Sequence, residues 1–239
     1  MKIIPLSEGA FTIDKTKRFV PFDLEKDDLQ QRPTGSLLVE VQPFAVVTAE
    51  DILVIDTGLG FEKDGVLQIH QNLRNAGIDP ASVTKVLMSH LHKDHAGGIS
   101  AFPNSTYYVQ RCELDYAFEK GPTSYFPEEL EFLRNNPKVV LLDGDGVIEG
   151  YIKYRITGAH CPWHQVFWIV DGGETVFFGG DVAPQLQQMK SRFVAKYDYD
   201  GKKAMELRQE WWERGQREGW IFLFYHDVRT PTWPANEPR

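Results

Sequence analysis

The stretch His90-Leu91-His92-Lys93-Asp94-His95 places four potential metal ligands within six residues. It follows an apolar run at residues 83–89 that predicts a β-strand. Because alternate side chains of an extended segment face the same way, His90 and His92 can be directed at one point. Asp94 and His95, where the chain turns, can be directed at a second point. Imidazole and carboxylate groups are common ligands of zinc, iron and manganese, so the stretch predicts a metal site at a strand end.

Three later segments add side chains of the same types, each where an apolar, strand-like run meets a loop. His160 precedes the run at 166–170, Asp181 follows a run that ends in two glycines, and His226 follows the run at 220–225. Polar groups at strand ends are held by a rigid scaffold at the rim of a core. The candidate metal ligands are therefore His90, His92, Asp94, His95, His160, Asp181 and His226.

The order of these motifs resembles that of the metallo-β-lactamase superfamily. The features that carry the resemblance are Val54-Ile55-Asp56-Thr57-Gly58, the stretch at 89–98, the Gly-x-His at 158–160, the Gly-Gly-Asp at 179–181 and the late His226. Residues 9–15 and 197–200 make the arrangement most similar to the branch of quorum-quenching lactonases and organophosphate hydrolases. The resemblance implies an α/β fold, an αββα sandwich in which two mixed β-sheets lie back to back with helices on the outer faces.

The resemblance also implies a ligand set. One ion would be held by His90, His92 and His160, and the other by Asp94, His95 and His226, with Asp181 bridging both. It assigns Asp94 and Asp181 as the catalytic carboxylates. The cofactor is expected to be two divalent metal ions, zinc in the first place, with iron or manganese as alternatives, because such ligand sets accept several first-row ions.

From two such ions we expect hydrolysis by a metal-bridging hydroxide. A bound ion lowers the pKa of water from about 16 to about 7, so hydroxide is present near neutral pH. The expected substrate is a small ester-like molecule: a lactone, a carboxylic ester, a thioester or a phosphotriester. Redox members of the family usually carry Glu where this chain has His92. Two alternatives stay open, a mononuclear iron enzyme similar to thiol or persulfide dioxygenases and a metal-binding scaffold without catalysis.

Neighbouring residues are expected to support the site. His164 is expected to contact ligands without binding metal, Asp56 to orient a ligand histidine, and Asp227 to stabilise a turn. Lactonases carry a tyrosine a few residues after the bridging aspartate, whereas residues 182–184 of this chain contain none. The substrate therefore stays open, and the candidate aromatic residues of the pocket are Phe22, Tyr125, Phe126, Trp163 and Trp233.

Composition limits the other function classes. The 239 residues can form one core, so a single domain covering 1–239 is expected. The net charge of −8 argues against nucleic acid as a partner, and the one dense basic group, residues 15–18, is expected to be a solvated turn.

No apolar run predicts a signal peptide or a membrane span, and two cysteines fit a reducing, cytoplasmic location. A small-molecule substrate and a monomer or homodimer are expected.

The hydrophobic pattern predicts alternating strands and helices. Strands are predicted at 37–48, 52–56, 107–109, 139–142, 151–157, 166–170 and 175–178, and helices at 65–76, 111–119, 126–133 and 201–217.

Overall fold

The computed structural model describes residues 1–234, which contain 17 β-strands and six α-helices. The strands are β1 (Lys2–Pro5), β2 (Gly9–Ile13), β3 (Phe19–Pro21), β4 (Leu37–Val41), β5 (Phe44–Val47), β6 (Ile52–Ile55), β7 (Glu62–Lys63), β8 (Val66–Leu67), β9 (Lys85–Leu87), β10 (Thr106–Gln110), β11 (Val139–Leu142), β12 (Gly146–Ile148), β13 (Ile152–Ile156), β14 (Gln165–Asp171), β15 (Glu174–Phe178), β16 (Ile221–Leu223) and β17 (Thr232–Pro234). The helices are α1 (Gln68–Asn75), α2 (Lys93–Ala96), α3 (Arg111–Lys120), α4 (Pro127–Asn135), α5 (Leu186–Met189) and α6 (Gly201–Glu218).

Two six-stranded mixed sheets form the centre of the structure. The first has the order β1-β5-β6-β9-β10-β11, with parallel pairing from β6 to β11. The second has the order β12-β13-β14-β15-β16-β17, and only its β15–β16 pair is parallel. A three-stranded sheet, β3-β2-β4, and the short β7–β8 hairpin complete the pairing among the described residues.

Side-chain alternation along the strands creates three apolar layers. In β6, Leu53 and Ile55 face a cluster shared with β14 and β15, whereas Val54 faces a cluster that contains residues of α1, α3 and α4. In β15, Phe178 joins the cluster between the sheets, and Phe177 packs with Trp211 of α6. Helices therefore cover the outer faces of both sheets, and the predicted αββα sandwich is confirmed.

Most boundaries agree with the sequence prediction within about two residues, and two places differ more. The strand predicted at 37–48 is interrupted at Gln42-Pro43, so that β4 pairs with β2 while β5 pairs with β1 and β6. Proline has no backbone N–H group, which disfavours a continuous strand there. The helix predicted from residue 65 begins at Gln68, because Val66 and Leu67 pair with β7.

Strand ends bring the loops of the candidate ligands to one edge of the sandwich. The segments that carry His90, His160, Asp181 and His226 follow the ends of β9, β13, β15 and β16. Close packing at Gly97 and Gly98 holds α2 there, because a Cβ atom at these positions would overlap the backbone of Leu59 and Thr57. The two glycines after the first motif therefore allow helix α2 to approach the loop that follows β6. Within residues 1–234, no helix has the length and apolarity needed to cross a membrane.

Candidate metal centre

All seven side chains singled out in the sequence converge at this edge. They form two groups, in each of which the possible ligand atoms lie within 4.8 Å of one another. The first group is His90, His92, His160 and Asp181, and the second is Asp94, His95 and His226.

Three imidazoles of the first group point their nitrogens at one another. The Nδ1 atom of His92 lies 3.0 Å from Nε2 of His90 and 3.1 Å from Nε2 of His160. The Oδ2 atom of Asp181 lies 3.2 Å from Nε2 of His160 and 4.0 Å from Nε2 of His90. One point between these four atoms is therefore surrounded by three imidazoles and a carboxylate.

The second group lies on the other side of Asp181. Its Oδ1 atom is 3.0 Å from Nε2 of His226 and 3.1 Å from Nε2 of His95. The Oδ2 atom of Asp94 is 3.5 Å from His226 Nε2 and 3.7 Å from His95 Nε2. Asp181 thus presents one oxygen to each group, which is the arrangement of a carboxylate shared between two positions.

Hydrogen bonds on the far side of three rings fix their orientation. Nδ1 of His95 lies 2.8 Å from the Asp56 carboxylate, and Nδ1 of His160 lies 3.0 Å from the Asp198 carboxylate. Nδ1 of His226 lies 2.6 Å from the carbonyl oxygen of Glu40. Because each of these acceptors takes a proton on Nδ1, the Nε2 atom of each ring faces the centre, where it can bind a metal ion.

Asp56 organises His90 as well as His95. The backbone N–H and the hydroxyl of Ser89 both donate to Asp56, at 2.7 and 2.6 Å. The Ser89 oxygen can then accept the Nδ1 proton of His90, 3.0 Å away. The backbone of Asp56 has a φ of 56°, in the left-handed region that aspartate tolerates better than most residues. The predicted contact between Asp56 and a histidine of the cluster is confirmed.

Electrostatics shows how the cluster would receive a cation. Burial lowers the pKa of His90 and His92 well below the ordinary value, so both rings are neutral as metal ligands must be. Although burial opposes its ionisation, Asp181 has a pKa held well below its usual range by His226, His95 and His160. Asp181 is therefore an ionised carboxylate in a buried position, where a charge needs a partner.

The donor atoms fit first-row divalent ions. Tetrahedral ligands bound at 2.0–2.1 Å lie roughly 3.3 Å apart, close to the 3.1 and 3.2 Å that separate His160 Nε2 from His92 Nδ1 and from Asp181 Oδ2. In addition, Nε2 of His95 and Oδ1 of Asp181 are buried without a hydrogen-bond partner among the described residues. Two neighbouring polar atoms left unpaired in this way fit an ion between them.

His164 and Asp227 have supporting contacts. The backbone N–H of Asp181 donates to Nε2 of His164, at 3.2 Å, and the opposite ring nitrogen of His164 faces the Thr157 hydroxyl. His164 thus orients the Asp181 backbone instead of facing the cluster. The Asp227 carboxylate accepts the backbone N–H groups of Leu186, Arg229 and Thr230, as predicted for a residue that stabilises a turn.

Two acids near the cluster were not predicted to act there, although Asp198 belongs to the segment 197–200 that contributes to the family resemblance. Asp198 lies 38 residues from His160, and its side chain is fully buried beside that ring. Glu113, in α3, accepts the N–H of Leu91 at 3.0 Å and contacts the Cys161 thiol at 3.4 Å. Burial raises the pKa of Glu113 to about 7. Glu113 therefore connects the two loops that carry the first group of histidines, and it does so from a helix distant in sequence.

The cluster opens into a cavity of about 1160 Å³. Of the five aromatic residues predicted to line the cavity, only Tyr125 lines it in the structure of residues 1–234. Its ring centroid lies 4.9 Å from that of His92. Tyr197 also lines the cavity, with its ring centroid 6.2 Å from that of His160, and its hydroxyl oxygen accepts a hydrogen bond from the Gln188 side chain at 3.2 Å. An aromatic ring therefore lies beside the site from a later segment than residues 182–184.

Sequence comparisons identify lactonases as relatives. Residues 39–225 match the family model of the metallo-beta-lactamase superfamily. An N-acyl homoserine lactonase of Rhizobium radiobacter is 54% identical over 102 residues, which cover 39% of this chain and 38% of that protein. An N-acyl homoserine lactonase of Bacillus thuringiensis is 27% identical over 168 residues, which cover 70% of this chain and 64% of that protein. The alignments thus span less than two thirds of the length of these relatives.

Solved structures share the fold at low sequence identity. A probable metal-dependent hydrolase from Staphylococcus aureus superimposes with a TM-score of 0.79 at 22% identity, covering 98% of this chain and 91% of that one. A dizinc quorum-quenching lactonase gives a TM-score of 0.72 at 18% identity, covering 96% and 88%. Since the family model matches most of the sequence and the fold agrees, the chain belongs to the metallo-β-lactamase superfamily.

Proposed function

We propose that this protein is a dinuclear metal-dependent hydrolase of a small ester-like substrate, with lactones as the first candidates. The observation that carries the proposal is Asp181, whose two oxygens face two separate ligand groups at the end of an open cavity. The relatives described above are N-acyl homoserine lactonases, which supports the lactone class. The single domain at 1–239, the cytoplasmic location and the monomeric or homodimeric state stay predictions.

The first group would hold one divalent ion and the second group another, with Asp181 shared. Zinc is the first choice for these ligands, and iron or manganese would also be accepted. When bound, such a pair supplies hydroxide near neutral pH and polarises the oxygen of the bond to be cleaved.

The chain's own residues then position the reactants. Asp56 and Asp198 hold the rings of His95 and His160, so little reorganisation is needed when the substrate enters. Asp94 and Asp181 are the acids among the seven, and both line the cavity. Because each oxygen of Asp181 faces a ligand group and its pKa is held well below its usual range, Asp181 would hold the two ions, and we assign to Asp94 the proton released when water attacks.

Metal analysis and a substrate panel test the proposal. Purified protein should contain two equivalents of a first-row metal and should hydrolyse at least one of four substrate classes: N-acyl homoserine lactones, aryl esters, S-acyl-glutathione thioesters and phosphotriesters. Exhaustive chelation should abolish the rate, and added zinc or manganese should restore it. One equivalent that never rises with added metal would favour the mononuclear oxidative enzyme. Full metal content without hydrolysis across the panel would favour the scaffold.

The Asp198→Asn variant should weaken one ion and not the other. The amide is close in size but loses the charge that orients His160, so we expect an approximately 10–100-fold loss of metal affinity or activity. The loss should be confined to the ion of the first group, because Asp198 contacts none of Asp94, His95 or His226 in the described structure. Metal titration followed by stoichiometry measures this. Asp200→Asn, which changes the N-cap of α6, is the matched control. Equal loss of both ions would contradict the assignment of Asp198 to His160.

A further inference from the structure

Five lysines surround the cavity of a protein whose net charge is −8. They come from four separate segments: Lys15 and Lys17 from the turn between β2 and β3, Lys93 from the start of α2, Lys120 from the end of α3, and Lys196 from the loop before α6. The turn expected to be merely solvated therefore faces the cavity.

These ammonium groups are largely unpaired. Across residues 1–234, the side chains of Lys15, Lys17, Lys93 and Lys196 have no carboxylate within 4.0 Å, and Lys120 approaches only the exposed Glu119, at 3.7 Å. Lysines elsewhere on the molecule include both kinds: Lys85 contacts Asp51 at 2.6 Å, whereas Lys63 and Lys153 have no carboxylate within 4.0 Å among residues 1–234. The cavity differs because four lysines without a carboxylate partner face one opening.

The carboxylates of the cavity offset these charges only in part, because Asp14 lies near Lys15 and Asp94 near Lys93, but neither comes within 4.0 Å of an ammonium group among the described residues. Asp94, Asp181 and Asp198 face the histidines of the cluster, and Asp14 accepts the N–H and hydroxyl of Thr16. Like charges that line a concave surface reinforce one another, because the low-dielectric walls focus their field into the opening. The entrance should therefore attract anions.

Lys93 is the most constrained of the five. Its Nζ donates to the carbonyl oxygen of Lys17 and lies 5.5 Å and 5.7 Å from the ring centroids of Phe19 and Phe126. Its backbone N–H donates to the carbonyl oxygen of Ser124 at 2.9 Å. An ammonium group has three N–H donors, so one committed bond leaves donors for a ligand. Lys93 is also adjacent in sequence to His92 and Asp94, which places its charge beside the cluster.

We propose that the substrate carries an anionic group, such as a carboxylate, separate from the bond that is cleaved, and that Lys17 and Lys93 recognise it. The inference rests on the proposed hydrolase function and names the substrate class of the same site. Apolar residues, including Leu37, Val39 and Phe193, also line the cavity, so the substrate has an apolar part as well.

Two lactones that differ only in charge test the inference: N-adipoyl-homoserine lactone, which ends in a carboxylate, and its terminal primary amide. We expect kcat/KM for the carboxylate to exceed that for the amide by about tenfold or more, as a charge-assisted hydrogen bond to a partly buried ammonium allows. KM for the carboxylate should rise with sodium chloride while KM for the amide changes little.

Lysine variants test whether Lys17 and Lys93 cause the preference for the carboxylate over the amide. Lys17→Met and Lys93→Met should each lower the ratio of the two kcat/KM values, whereas Lys63→Gln, on the exposed β7 and outside the cavity, should leave it unchanged. General damage to the site lowers both kcat/KM values, whereas loss of recognition lowers their ratio. If Lys93→Met fails to fold, Lys17→Met still tests the inference. An amide cleaved as efficiently as the carboxylate, or a ratio unaffected by both variants, overturns the inference but leaves the hydrolase function standing. If neither lactone is cleaved, the lactone proposal and the inference fail together.

Discussion

The His226→Ala variant should bind one ion, where we propose that the unmodified protein binds two. Its hydrolytic rate should fall by more than about 100-fold, the upper end for residues that only orient a ligand. His226 presents Nε2 to Asp181 at 3.0 Å and to Asp94 at 3.5 Å, and it faces neither His90 nor His92 in the described contacts. The ion of the first group should therefore remain. Metal stoichiometry together with the rate on the best substrate of the panel measures both effects.

Asp227→Ala is the matched control for His226→Ala, because it changes the next residue and another possible ligand type. Its carboxylate accepts three backbone N–H groups in the turn after His226, so its loss should lower stability and leave two ions bound. If Asp227→Ala loses an ion while His226→Ala keeps both, the assignment of His226 to the second group is wrong.

The Asp181→Asn variant should weaken both ions. One oxygen of Asp181 faces His160 and the other faces His95 and His226, so the amide replaces one of the two oxygens by a group that cannot bind metal and removes the charge that both positions share. We expect occupancy of both sites to fall and the rate to drop by more than the loss caused by His226→Ala. Metal titration of the apoprotein, compared with the unmodified chain, measures the two affinities.

Two variants make the Asp181 result specific. Asp171→Asn removes a carboxylate at the far end of β14, where it accepts the N–H of Ala49, and should leave both ions in place. Asp198→Asn should affect the first group alone. If Asp181→Asn loses only one ion, Asp181 belongs to a single group and the shared-carboxylate model is incorrect.

The sequence predicted which side chains converge at one edge of the sandwich, because each lies in or beside a local pattern. An apolar run followed by a polar turn determines where His90, Asp181 and His226 lie relative to a strand end, and strand ends in a layered α/β fold meet at one edge. Short-range signals also located α6, whose Asp200 accepts the N–H of Lys203 at the start and whose Gly219 has a φ of 70° at the end.

The remaining features depend on contacts between distant segments. Asp198 and Glu113 have ordinary local surroundings, and their positions next to His160 and Leu91 follow from how the loops and α3 pack. The lysines around the cavity are scattered in sequence for the same reason. The strand break at Gln42-Pro43 was missed because two apolar runs on either side read as one strand, although they pair in different sheets.

Each ligand group takes residues from both halves of the sandwich. His90, His92, Asp94 and His95 follow β9 of the first sheet, whereas His160, Asp181 and His226 follow strands of the second. A pair of ions held there would act as a crosslink between the sheets, and a ligand that binds only the native state stabilises it by about 2.7 kcal/mol at 100 times its Kd. The amount of folded protein in a cell would then depend on the supply of metal. A shortage of the ion would lower the amount of folded protein in addition to its activity.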